Sequence, residues 1–137
     1  MNIEQYKALG AVHKGRKRNP SRPSELVPTE HAEQCAVVQY CDKKHIPIFA
    51  IPNGANKSIG QRMKFKAEGL RSGVPDLFVP VPRNGKAGMF IEMKRLKGSV
   101  TSTEQTIWIE WLGELGYHVV VAKGAQAAID YINSYLA

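Results

Sequence analysis

The chain has 137 residues, a length that fits one domain with a single core, and its 43% hydrophobic and 23% charged composition excludes a wholly disordered polymer. Its 19 Lys and Arg against 12 Asp and Glu give a formal net charge of +7, so polyanions are its natural partners. No stretch approaches the roughly 18 apolar residues of a membrane span. Met1–Gly10 lacks the basic-then-apolar order of a signal peptide, and the sequence reads as cytoplasmic. Cys35 and Cys41, the only cysteines, stand six apart in one helical segment, which excludes a disulfide scaffold and leaves two buried thiols as the simplest reading.

Residues 1–27 hold six bases and two acids, and the stretch 14–28 contains three prolines, five bases and no periodic apolar face. It reads as a basic arm or linker, with Arg16, Lys17 and Arg18 as candidate phosphate contacts, ahead of a folded domain over 28–137. Thr29 stands as a helix N-cap, with Glu30 and Glu33 near the positive end of the dipole, and the spacing predicts a helix from about 30 to 44. Ile46–Ile51 has the pattern of a short buried strand, closed by Pro52-Asn53-Gly54. A basic stretch follows to Arg71, with one short helix expected around Gln61–Glu68. Strands are expected at Asp76–Val81 and Met89–Lys94, joined through Asn84-Gly85, a pair that favours an antiparallel hairpin. Ser102 and Gln105 form a capping-box signal for a helix to about Leu115, which Gly116 ends. A strand over Tyr117–Ala122 and a helix over Ala125–Leu136 complete an α/β fold with a mixed sheet flanked by helices.

The chemistry concentrates in the hairpin. Side chains alternate along a strand, so Glu92 and Lys94 share one face while Ile91 and Met93 take the other. Folding about Asn84-Gly85 pairs positions summing to about 169, which sets Asp76 opposite Glu92 or Met93 within a residue or two. Two adjacent acids in an apolar sheet are costly unless a cation neutralises them, and a hard divalent ion that retains waters suits phosphodiester hydrolysis. Lys94 then orients the attacking water or offsets charge developing on the phosphorane. The bland alternative is a turn-closing Asp76 beside an exposed Glu92–Lys94 ion pair. Asn53, Lys57, Arg62, Lys64, Lys66 and Arg71 lie on segments flanking the hairpin mouth, where they suit DNA phosphates, and Arg71 is the strongest candidate. Trp108 and Trp111, three apart on one helix, read as core rather than as base-stacking platforms.

Pro75-Asp76 followed by Glu92-Met93-Lys94 resembles the PD-(D/E)xK nuclease superfamily, specifically its virus-type replication-repair nuclease (VRR-NUC) family. The similarity spans residues 29 to about 122: Glu30 and Gln34 on the first helix, Gly73-Val74-Pro75-Asp76-Leu77, Glu92-Met93-Lys94, then Ser102 and Gln105. The resemblance implies a restriction-endonuclease-like αβββαβ core and a Mg2+- or Mn2+-dependent endonuclease. It implies Glu30, Asp76, Glu92, Lys94 and Gln105 as catalytic residues. Metal would be held by Asp76, Glu92, the Met93 carbonyl and Glu30, with Glu33, one turn on, as the alternative helix acid. Stand-alone members imply a homodimer acting on branched DNA such as four-way junctions. The rivals are a non-catalytic nucleic-acid-binding module on the same fold and a nuclease for other DNA or RNA substrates.

Overall fold

The protein is represented by a computed structural model that describes residues 27–52 and 58–137. Its elements run α1 (Glu30–Lys43), β1 (Phe49–Ala50), α2 (Ile59–Ala67), β2 (Leu77–Val79), β3 (Met89–Lys94), α3 (Thr103–Glu114), β4 (His118–Lys123) and α4 (Ala125–Leu136). The four strands form one sheet in chain order, antiparallel from β1 through β3 and parallel between β3 and β4. A parallel pair needs a long crossover, and α3 supplies it.

Strand alternation divides the sheet into two unlike faces. Leu77, Val79, Met89, Ile91, Met93, Val120 and Ala122 point to one side. They are sealed by Val37 and Cys41 of α1 and by Ala128, Ile132 and Tyr135 of α4. Burial raises the Cys41 thiol to about 11, aided by the nearby Asp42 charge, so it serves as a small apolar group. Cys35, expected beside it in the core, is only partly buried, with its sulfur 3.5 Å from His31 Nε2. Six residues on a 3.6-residue helix turn it away from the sheet.

The hairpin turn has Asn84 at φ 51° and Gly85 at φ 77°, the two left-handed residues that a two-residue turn matched to strand twist requires. Observed pairs such as Leu77 with Ile91 sum to 168, one less than the sequence predicts, and extending that ladder sets Asp76 opposite Glu92. β1 departs further from expectation. Only Phe49 and Ala50 pair, and both are exposed. Pro47 and Pro52 carry no amide hydrogen, so the ladder is confined between them on an edge strand. α2 starts two residues before its expected position because Ser58 and Gln61 form a full capping box. No helix among the described residues is long and apolar enough to cross a membrane.

Candidate active site

The second face of the sheet carries Phe78, Phe90, Glu92 and Lys94, and it is here that the titratable groups meet. Ile51 N donates to the Asp76 carbonyl at 2.8 Å, which fixes the backbone of Asp76 just before β2. Its carboxylate then reaches across the hairpin, where Met93 N donates to Oδ2 at 2.7 Å. Glu92 is 2% exposed and Lys94 6% exposed, so the pair is buried rather than a solvated surface bridge. Their charged atoms lie 3.3 Å apart.

Gln105, on the first turn of α3, binds both. Its Nε2 donates to Glu92 Oε1 at 2.6 Å, while its Oε1 accepts from Lys94 Nζ at 2.9 Å and from Ser102 N at 2.9 Å. One side chain therefore closes the capping box and ties the helix to the strand carrying the acid and the base. Lys94 Nζ also donates to the Val100 carbonyl at 3.2 Å. Gly73 makes the approach of α3 possible. It sits at φ +89°, and a Cβ there would lie 2.6 Å from the Glu104 carbonyl carbon and 2.8 Å from Gln105 N.

Burial raises the Asp76 carboxyl above its ordinary range, and the Glu30 charge adds to the rise, while the Met93 N–H and Lys94 oppose it. Burial likewise lifts Glu92, to about 7, with the Asp76 charge as the next cause and Lys94 opposing. Asp76 Oδ1 and Glu92 Oε2 take no hydrogen bond among the described residues, so each keeps an oxygen for a hard ion. Glu30 lies close enough for its charge to act on both carboxyls. Among the described residues no three of His, Cys, Asp and Glu converge into a group that could hold a metal ion.

Glu33, the alternative helix acid, is occupied elsewhere. It is 8% exposed, and its Oε2 accepts from Ala125 N at 2.6 Å. Gly124, the N-cap of α4, has no side chain to satisfy that helix's first amides, so Glu33 caps α4 from another element. The signal for this role was its place in the series Glu33, Val37, Cys41, an acid standing on the core-facing stripe of α1.

A family model for the VRR-NUC domain matches residues 19–126, most of the chain. The chain belongs to the VRR-NUC domain family. A solved structure described as a "VRR_NUC domain protein" is similar to it at 29% identity and a TM-score of 0.70, covering 80% of this chain and 88% of that one. No curated protein matches. The family is of nuclease type, and the mixed sheet flanked by helices is consistent with the PD-(D/E)xK core that the motifs imply.

The remaining candidate residues of this VRR-NUC chain are distributed unevenly. Arg62, Lys64 and Lys66 are exposed on α2, and Arg71 is exposed just beyond it. Arg71 turns back toward the end of α2, where its Nη1 donates to the Lys66 and Leu70 carbonyls at 2.8 and 3.2 Å. Asn53, Lys57, Arg16, Lys17 and Arg18 lie outside the described residues. The tryptophans correct the expectation of a core pair. Trp111 is 51% exposed and Trp108 only partly buried, and Leu112 is the one buried residue of α3. The two rings pack on each other, 5.1 Å between centroids.

Proposed function

We propose that this VRR-NUC chain is a Mg2+- or Mn2+-dependent endodeoxyribonuclease that acts on branched DNA such as four-way junctions, as a homodimer. The observation carrying this reading is the set at one end of the hairpin: Asp76 braced by Met93 N, and the buried Glu92 and Lys94 joined through Gln105. Purely structural acids do not gain by standing together with a raised proton affinity, whereas acids that accept a cation do.

The free oxygens of Asp76 and Glu92, with the Met93 carbonyl and Glu30 directly or through water, are the groups that would hold the ion. When bound, the ion lowers the pKa of a coordinated water and polarises the phosphoryl oxygens. Lys94 keeps its ammonium aimed at the same space by donating to Gln105 and Val100, and from there it orients the nucleophilic water or stabilises charge growing on phosphorus. Gln105 holds Glu92 and Lys94 in a fixed relation so that neither rotates away. Basic α2 and Arg71 supply sequence-independent phosphate contacts.

Ile107 and Trp111, with Leu115 just past the helix end, present exposed apolar side chains at four-residue spacing along α3. A second copy is a fitting cover for this stripe, and paired incisions related by symmetry need two sites.

Cleavage of linear duplex, single strand, flap and four-way junction with Mg2+, Mn2+ or chelator tests the reading. Metal-dependent cutting favouring the junction is expected. Asp76→Asn should lose roughly 10³-fold or more of that rate while retaining or strengthening DNA binding, since it removes metal affinity and one negative charge. An Asp76→Asn chain that cuts at the wild-type rate sinks the assignment.

A further inference from the structure

Beside the carboxylates, on the same face of the sheet, lies a cavity of about 400 Å³ that the nuclease reading leaves without a task. Its walls include Ile51, Leu70, Val74, Phe90 and Trp108, with Arg71 contributing the cationic group. Three of these residues are tied to the site by sequence spacing. Val74 precedes Asp76 by two residues, Phe90 precedes Glu92 by two on one strand face, and Trp108 follows Gln105 by three on one helix. Two strand residues span about 7 Å and one helical turn about 5 Å. The cavity thus begins roughly one nucleotide's reach from the hairpin acids.

The aromatic walls are braced from behind. Phe90 packs against Phe78 at 4.4 Å and against Tyr117 at 5.1 Å, and Trp108 against Trp111 at 5.1 Å. Rings held in this way lose little freedom on receiving a flat ligand. Arg71 is fixed by its bonds to the Lys66 and Leu70 carbonyls, and Arg62, Lys64 and Lys66 lie on the helix leading to it. Among the described residues no acid lines the cavity. An apolar, aromatic-walled cavity joined to a cation and set beside a phosphate-processing site matches a planar heterocycle carried on a polyanion.

The geometry points to a binding site for one unpaired nucleobase of the strand whose phosphate lies at Asp76 and Glu92. This inference rests on the nuclease reading for what lies at the carboxylates, and it adds a physical source of selectivity. The volume falls near the lower end of the range for small-ligand sites and takes one base, not a stacked pair. A paired base reaches it only after leaving the stack, at a cost of a few kcal/mol that is smallest where pairing is already broken. Strands at a branch point, fork or bulge meet that condition. Stacking on an aromatic wall is tolerant of base identity, so the site selects for DNA structure rather than sequence.

The test scans a short single-stranded oligonucleotide with one abasic residue placed at each position in turn. Binding is measured by fluorescence anisotropy in Ca2+, and cleavage separately in Mg2+. The expected result is a roughly tenfold or larger rise in Kd at a single position, adjacent to the cleaved bond where cleavage occurs. Trp108→Leu should weaken the intact oligonucleotide by a similar factor and flatten the scan. Should that variant fail to fold, the wild-type indole resonances serve instead: Trp108 should shift with the intact oligonucleotide and not with the abasic one, and Trp111 should shift with neither. A flat wild-type scan in a chain that still cuts DNA overturns the base site and leaves the nuclease reading standing. A position-specific loss in a chain that cuts no DNA keeps the base site and overturns the nuclease reading. Trp108 shifts that follow protein concentration without DNA assign the cavity to a second copy and overturn the proposal.

Discussion

The two faces of the sheet are made from alternate residues of the same strands, yet they are built on opposite principles. The face against α1 and α4 is filled by aliphatic side chains such as Ile91, Met93 and Leu77, all fully buried. The face toward α3 carries a buried acid–base pair, an aromatic cluster and exposed apolar side chains, including Phe49 at 52% exposure. A single strand, β3, contributes to both: Ile91 and Met93 anchor it on one side so that Glu92 can be held buried beside Lys94 on the other. The lesson is that the packed face provides the stability against which the strained face is arranged.

The largest test of this division is a pair of truncations. Ile91→Ala removes a fully buried side chain and should lower stability by about 2–5 kcal/mol, whereas Phe49→Ala, on the exposed edge, should stay within about 1 kcal/mol. Denaturant titration of both variants decides it, and equal losses would mean that the second face is as tightly packed as the first.

A smaller effect separates Gln105 from its helix cap. Ser102→Ala and Gln105→Leu each remove half of the capping box, and each should cost about 1 kcal/mol of stability. Only Gln105→Leu also releases Glu92 and Lys94, so it alone should lower cleavage by a further 10- to 100-fold, the scale for losing a group that orients reactive residues. Melting temperature beside single-turnover rate reads the two roles independently. Parallel losses in both variants would reduce Gln105 to a cap.

The smallest expected effect is the pH dependence of stability without metal. Glu92 is lifted from its ordinary value near 4.5 to about 7 in the fold, and Asp76 is raised as well. Between those values the folded chain retains protons that the unfolded chain has released, so stability should fall as pH rises through this window. In chelator the melting temperature should therefore decline from about pH 4.5 to about pH 7. Added Mn2+ should restore it at the upper end, where the ionised acids accept the ion. A melting temperature that is flat across the window, and unmoved by Mn2+, would mean that the acids are not strained.

Much of this protein follows from local chemistry. Helix caps at Thr29 and Ser102, the Asn84-Gly85 turn, and the alternation around Ile91-Glu92-Met93-Lys94 depend on a few adjacent residues, and for that reason they are legible in the chain. The meeting of Asp76 with Glu92 was also within reach, since one tight turn fixes the pairing of a hairpin to within a residue. What the sequence did not determine is whatever depends on groups far apart in the chain. Only the family resemblance favours Glu30 over Glu33 as the helix acid, and the capping role of Glu33 needs its partner, Ala125 N, from an element 92 residues away. The Glu92–Lys94 pair reads equally as solvated or buried until α3 lowers Gln105 onto it, which in turn requires the bare Cα of Gly73. The tryptophans on α3 look like core because helical periodicity reports an apolar face, not whether another element lies opposite to cover it. Only the packed chain decides that, because burial is a property of neighbours in space.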